Sequence, residues 1–337
     1  MFGKYNNIKI AGIQAAAPQN VFDNEAYAEA GNNRRIRKFI NYTGIKKRHL
    51  VVEGQSASDL SSYAADVLLD NLKWDRNEIR VLVNVTQSED VRTPSTAMII
   101  QKRLGIGIEC LAFDVNLGCS AYPSGLQIIA ALLQNTGGKG LLLVGDGRYY
   151  PPAESYNSDS LLFGDGAAAT AIEICDGHDL YYTQNTDGSR FDLLCSPWNG
   201  ELKMDGNGIL LMSLNEAANS IIEFREHFGI NDDSIDFYVL HQAQKIIIDG
   251  MIEACGINSE KALRSYEEYG NTSSATLPVT ISSNYKTIWD KGEKVTLYLC
   301  GFGVGLAWNG ALLTIDSQNV YPLIETDHKY NDLTEFI

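Results

Sequence analysis

Four short segments of this chain carry residue types able to do chemistry together. Cys119 stands in Asn116-Leu-Gly-Cys-Ser-Ala-Tyr122, between an apolar run and a helical pattern. Its small neighbours Gly118, Ser120 and Ala121 leave room for another molecule to reach the sulfur. Unpaired N–H groups and the positive end of a helix dipole favour a thiolate at such a junction. A thiolate is both a good nucleophile and a good leaving group, the combination that covalent acyl transfer needs. The same place suits a buried structural cysteine, the commoner fate of a single thiol. His241 follows the apolar Phe237-Tyr-Val-Leu240, at the carboxyl end of a strand, where ligands bind in layered α/β proteins. A structural histidine fits that sequence too. Asn271, in Tyr269-Gly-Asn-Thr-Ser-Ser274, reads alone as a turn or cap residue. Cys300-Gly-Phe-Gly-Val-Gly305 is a glycine-rich bend, either a tight turn or a place where backbone N–H groups face a ligand.

The elements that position these residues follow from apolar spacing. Buried strands are expected over Ile8–Ile13, Ile79–Val85, Leu111–Val115, Gly140–Gly145 and Ala167–Ile174. Helices are expected over Asn24–Ile40, from a Ser58 cap through Leu60 and Leu72, from Pro94 through Ala97–Leu104, and through Leu126, Ile129 and Leu133. The second half repeats the rhythm, with helices over Ile209–Phe228 and Gln244–Cys255 and another after Pro278. Its strands are Phe237–Leu240, Lys294–Leu299 and Gly310–Ile315. Alternating helices and doubly apolar strands imply a layered α/β fold with mostly parallel sheets. The chain divides near Asp176-Gly177 into two halves, 1–175 with the cysteine and 176–337 with the histidine and asparagine.

Composition narrows the function. The chain has 337 residues, 45% hydrophobic and 20% charged, with a net charge of −15 that argues against nucleic-acid binding. No apolar run reaches the roughly 20 residues needed to cross a bilayer, so no membrane association is expected. The start runs straight into a strand rather than a signal peptide, and a cytoplasmic location is expected. Six cysteines show no C-x-x-C pair and the five histidines are scattered, so no metal site is expected. Arg34, Arg35, Arg37, Lys38, Lys46, Lys47 and Arg48 gather seven of the 27 basic residues within fifteen positions. They are either a solvated face or a dock for an anionic cofactor arm or acidic carrier protein. The acidic tail after Asp316 reads as surface.

The four segments, in this order and at these spacings, resemble the β-ketoacyl-(acyl-carrier-protein) synthase III family of the thiolase superfamily. Thr43-Gly-Ile45 with Arg48-His49, Phe163-Gly-Asp-Gly166 and Met204-x-Gly-Asn207 support the resemblance, which runs from about residue 8 to residue 315. It implies a duplicated thiolase-like fold in five layers, α-β-α-β-α, and a homodimer. It assigns Cys119 as the nucleophile that takes an acyl group from a thioester, and His241 and Asn271 as the pair that hydrogen-bonds the second substrate's thioester carbonyl. The N–H groups of Cys119 and Val304 then form the oxyanion hole. Loss of CO₂ from a malonyl thioester generates the carbanion, so two neutral donors suffice and no strong base is needed. No cofactor is implied: acyl-CoA and the phosphopantetheine of acyl carrier protein are substrates, and the carrier protein is the partner.

Several positions depart from the family. Lys38 and Tyr42 stand where housekeeping members carry a tryptophan and an arginine that clasp the adenine of coenzyme A. Gln244 ends the His-Gln-Ala-Asn motif, and Ile246 replaces a carrier-docking arginine. Lys38, Lys46 and Lys47 are expected to offer a different phosphate grip. Thr93, before Pro94, replaces a bulky aromatic with which the partner subunit often caps the acyl pocket, and the insertion Asp187–Pro197 is expected to shape its entrance. With Asn207 and Gly303, these residues form the expected substrate- and carrier-binding set. The leading expectation is decarboxylative condensation in fatty acid or specialised biosynthesis. Alternatives are an O- or N-acyltransferase, a hydroxymethylglutaryl-CoA-synthase-like enzyme that would need Glu89 in the pocket, and a non-catalytic partner subunit.

Overall fold

The computed structural model describes residues 1–31, 33–147, 160–197 and 202–333. Strands β1 (Phe2–Pro18) and β2 (Val21–Asp23) precede helices α1 (Asn24–Ala30) and α2 (Arg34–Thr43) and the short β3 (Lys47–His49). The first half continues with α3 (Ala57–Leu72), β4 (Ile79–Val85), α4 (Thr96–Arg103), β5 (Leu111–Val115), α5 (Ala121–Thr136), β6 (Lys139–Asp146) and β7 (Gly166–Thr186). The second half holds β8 (Leu194–Cys195), β9 (Lys203–Met204), α6 (Gly206–Met212), α7 (Ala218–Phe228), β10 (Phe237–Leu240) and α8 (Lys245–Cys255). It ends with α9 (Tyr266–Tyr269), α10 (Thr276–Ser283), α11 (Tyr285–Lys291), β11 (Lys294–Gly303), β12 (Ala307–Asp316) and β13 (Ile324–Thr326). A π-helical turn, Ser213–Ala217, joins α6 to α7 and completes the long helix expected there.

The strands run in the order β10-β11-β12-β7-β6-β4-β5, with β1 paired to β7 and β13. The sheet is mixed rather than mostly parallel. β4 is parallel to β5 and β6, and β10 to β11, as crossover connections require. The consecutive pairs β6–β7 and β11–β12 run antiparallel, as does the long β1–β7 ribbon. Along β7 the pairing passes from β6 to β12, and the β1–β7 register shifts between Asn6 and Ile8. The expected division at 175/176 lies in that irregularity, within a continuous strand.

Three apolar clusters separate five layers. One packs α3 and α4 on the outside of the first-half strands. A central cluster holds α5 and α10 between the two sets of strands, with Tyr122, Leu126, Ile129, Leu277 and Ile281 fully buried. The third packs α6, α7 and α8 outside the second-half strands. This is the α-β-α-β-α arrangement, and it buries the start of α5 at the centre of the molecule.

Local details refine the expected boundaries. Ser56, not Ser58, caps α3, in a reciprocal capping box with Asp59. Helix α4 starts at Thr96 after Ser95 rather than at Pro94. Leu111 is not buried: β5 is the last strand of the sheet, and Leu111 is half exposed. The acidic tail is tied down. β13 pairs with β1, Tyr330 N–H donates to Asp59, and Asp332 accepts from the buried Arg103 at 2.9 Å.

Candidate active site

Cys119 lies in the turn between β5 and α5, where Ala121 N–H donates to the Gly118 carbonyl at 2.8 Å. The glycine-rich bend at the end of β11 passes directly against it. A Cβ on Gly301 would stand 2.9 Å from the Cys119 carbonyl oxygen, and one on Gly303 would stand 2.8 Å from Cys119 Cβ. Gly303 also has φ +147°, so both the contact and the backbone require glycine there. Val304 follows, and its side chain faces Gly118. The sulfur is buried, and burial pushes the thiol up to about 12, with the nearby Asp146 adding to the shift and the Ser273 hydroxyl and Cys119 N–H opposing it. The resting group is therefore a thiol. The thiolate expected from the helix start is outweighed by desolvation.

His241 is held by the parallel pairing of β10 with β11. Its N–H donates to the Cys300 carbonyl at 2.8 Å, and its ring meets Phe302 edge-on at 5.2 Å. Nδ1 sits 2.7 Å from Thr276 Oγ1. Burial pushes the imidazole down to about 3, so the ring is neutral at physiological pH.

Asn271 is anchored by the Phe163-Gly-Asp-Gly166 segment. Its N–H donates to Leu162 O, and its carbonyl accepts from Gly164 N–H, both at 3.1 Å. Its side-chain oxygen accepts from Ser273 N–H at 2.9 Å. Among the described residues its NH₂ makes no hydrogen bond, which leaves it as an available donor. Ser273, at φ +51°, links the parts: its hydroxyl lies against both the Cys119 sulfur and the Asp146 carboxyl. Asp146, at the carboxyl end of β6, accepts from Gln87 N–H at 2.6 Å and Ser274 N–H at 3.1 Å, and burial raises its pKa. The sequence reading named neither Ser273, Thr276 nor Asp146. The hydroxyl-rich run Thr272-Ser-Ser-Ala-Thr276 and the polar end of β6 were the available signals.

Cys119, His241, Asn271, Gly303 and Val304 thus converge. The donor-binding candidates lie apart. Lys38 and Tyr42 are exposed on α2, Asn207 is exposed near the start of α6, and Gln244 is the half-buried N-cap of α8. Lys46 and Lys47 are paired with Glu267 and Glu268 at 2.6 and 3.1 Å, and Arg48 is buried against Asn24 and the Phe163 carbonyl. Thr93 and Glu89 are exposed. The insertion forms a turn over Gly188–Leu193 and strand β8, which pairs antiparallel with β9, and it is tied through Asp187 and Leu306 to the segment after the glycine-rich bend.

Residues 113–188 match the model of 3-oxoacyl-(acyl-carrier-protein) synthase III, and residues 226–315 match the model of its C-terminal part. The chain is 31% identical over 314 residues to a β-ketoacyl-(acyl-carrier-protein) synthase III of Acholeplasma laidlawii, covering 91% of this chain and 98% of that one. An enzyme of the same name from Staphylococcus epidermidis is 31% identical over 311 residues, covering 91% and 98%. A crystal structure of 3-oxoacyl-(acyl-carrier-protein) synthase from Burkholderia xenovorans superposes with a TM-score of 0.91 at 30% identity, over 97% of this chain and 99% of that one. Sequence and fold agree over nearly the whole length, and the chain belongs to the β-ketoacyl-(acyl-carrier-protein) synthase III family of thiolase-fold, acyl-transferring condensing enzymes.

Proposed function

We infer that Cys119 takes an acyl group from an acyl-CoA or acyl-carrier thioester, and that the acyl-enzyme then condenses with malonyl-carrier as CO₂ leaves. The observation that carries this reading is the pair of neutral donors beside a buried thiol. Thr276 engages Nδ1 of His241, and Ser273 engages the side-chain oxygen of Asn271, so the opposite ends of both groups are available to one acceptor. Such an acceptor is the enolate oxygen left by decarboxylation. In the first step the Cys119 sulfur bonds to the acyl carbon, the donor thiol leaves, and the oxyanion is held by the N–H groups of Cys119 and Val304.

The partner is acyl carrier protein, the setting is fatty acid or related specialised biosynthesis, and the location is the cytoplasm. A homodimer belongs to the same proposal. The edge strand β5 carries the half-exposed Leu111, and Ile108 beside it is fully open. Thr93 is exposed on the single chain, which suits a residue that caps the acyl pocket of a second copy. Lys38 is the basic candidate for a phosphate contact that keeps no acidic partner among the described residues, since Lys46 and Lys47 are engaged. The exposed Glu89 gives no support to a hydroxymethylglutaryl-CoA-synthase-like reaction.

Intact-protein mass spectrometry with a panel of acyl-CoA and acyl-carrier donors tests the reading. A mass increase that is absent in Cys119→Ala and disappears on adding malonyl-carrier supports it. An adduct discharged only by alcohols or amines points to O- or N-acyl transfer.

A further inference from the structure

The segment between β4 and α4, residues 86–95, begins at the site and leads away from it to the outer layer. Its start lies against the turn that carries the thiol. Gln87 N–H donates to Asp146 at 2.6 Å, Gln87 Nε2 donates to Asn116 at 3.2 Å, and a Cβ on Gly118 would stand 2.6 Å from Gln87 Oε1. The exposed part holds Arg92, Thr93 and Pro94. The N–H groups of Gln87, Ser88 and Asp90 all donate to side chains, so the segment depends on side-chain anchors rather than on strand pairing. Asp90 is the deepest anchor, with a side chain 1% exposed, and what holds it is distant in the chain. The Ser58 hydroxyl on α3 lies 2.5 Å from Asp90 Oδ2 and 2.6 Å from Arg103 Nη1. A guanidinium only donates and a hydroxyl has one hydrogen, so Ser58 accepts from Arg103 and gives its hydrogen to Asp90. Arg103 is aimed in turn by the tail. Its Nε and Nη2 donate to the two oxygens of Asp332 at 3.1 and 2.9 Å, a forked contact that fixes the guanidinium plane. Asp59 and Asp90 stand 3.6 and 3.8 Å from the guanidinium, beyond hydrogen-bond length.

We propose that the C-terminal tail is a strap that positions this segment. Asp332 orients Arg103, Arg103 orients the Ser58 hydroxyl, and Ser58 holds Asp90, with Gln87 on one side of it and Thr93 on the other. Asp332, Arg103 and Ser58 are then positioning residues that act through the segment and touch no reacting atom. The strap rests on the hydrogen-bond geometry. Its consequence, that the tail helps set which acyl chains Cys119 accepts, rests on the function proposed above.

Hydrogen exchange of the full-length protein, read by mass spectrometry, tests the strap, because amides held by side chains exchange when those anchors open. Asp332→Ala removes the grip on Arg103. It is expected to speed exchange over residues 86–95 about tenfold, the scale of one hydrogen bond to a charged group, and to loosen the tail as well. Ser58→Ala is expected to speed exchange over 86–95 and leave the tail as it was. Lys329→Ala removes a tail contact remote from Arg103, the 2.7 Å bond to the Glu53 carbonyl, and is expected to loosen the tail alone. Unchanged exchange over 86–95 in Asp332→Ala or in Ser58→Ala overturns the proposal, and so does an equal acceleration there in Lys329→Ala. A second measurement compares the rates at which acetyl-CoA and octanoyl-CoA acylate Cys119. Asp332→Ala is expected to change their ratio at least about threefold, within the range by which residues distant from a ligand modulate a coupled site, while Lys329→Ala leaves it at the wild-type value. An unchanged ratio in Asp332→Ala overturns the consequence for acyl preference. Failure of every donor to acylate the wild-type enzyme refutes the proposed function instead, and the exchange data still decide the strap.

Discussion

At the scale of single residues, the site works by committing one end of each polar group so that the other end is defined. Asn271 spends its oxygen on Ser273 N–H, and His241 spends Nδ1 on Thr276. Replacing either His241 or Asn271 by alanine is expected to slow condensation about 10²–10³-fold, or roughly 3–4 kcal/mol of transition-state stabilisation. Cys119 should still acquire its acyl group in both variants, as mass spectrometry of the acylation step alone would record. Loss of the adduct in either variant would place that residue in the first step as well. That Cys119, His241 and Asn271 come together was legible in the sequence because each lies in a distinctive motif, in a set order. Ser273, Thr276 and Asp146 were not, because serines, threonines and strand-end aspartates are common and only packing shows which atoms they meet. The pull of burial on Cys119 was not legible for a related reason. The helix start is visible in sequence, but the depth of burial that holds the thiol at about 12 is not.

At the scale of elements, the ends of β5, β10 and β11 bring the site together, and the close approach of β11 to the start of α5 is the tightest constraint. Gly303→Ala would place a Cβ 2.8 Å from Cys119 Cβ at a backbone angle that side chains rarely adopt. It is expected to displace the sulfur and abolish adduct formation, while Gly177→Ala, a similar backbone strain remote from the thiol, leaves acylation intact. The tail provides a second case. The side chain of Arg103 on α4 is 2% exposed and meets Asp59, Asp90 and Asp332, and it packs over Tyr330. Arg103→Ala strands these carboxylates and should cost about 3–5 kcal/mol in denaturant unfolding. A loss below 1 kcal/mol would mean that the tail contributes little. Most elements were legible from apolar periodicity. Ser56 as the cap, the antiparallel returns of β7 and β12, and the fastened tail were not, because they depend on partners distant in the chain.

At the scale of the molecule, the five layers bury α10 and the first half of α5, and near them the carboxylates of Asp146 and Asp165. Burial pushes Asp165, which accepts from Val51 N–H at 2.8 Å, up to about 7 from an ordinary 3.8. The folded chain therefore binds an extra proton between those values. The stability this group supports is complete below pH 4 and is lost as pH rises to 7, a difference worth roughly 4 kcal/mol. Asp165→Asn keeps the hydrogen-bond acceptor and removes the charge. Its unfolding free energy should therefore fall less than that of the wild type between pH 5 and 7.5. Identical slopes would show that Asp165 titrates normally. The layered α/β class was legible because doubly apolar strands must be covered on both faces. The single ribbon β1–β7 shared by both halves was not, since the sequence shows two similar halves but not the strands that tie them together.

The central claim is that one thiol and two neutral donors carry out decarboxylative condensation. The most direct measurement is release of labelled CO₂ from malonyl-carrier labelled at its free carboxyl, followed together with the mass of the acylated enzyme. The account predicts one CO₂ released for each acyl group lost from Cys119, and release slowed at least a hundredfold in His241→Ala. Discharge of the acyl group without labelled CO₂ would contradict it.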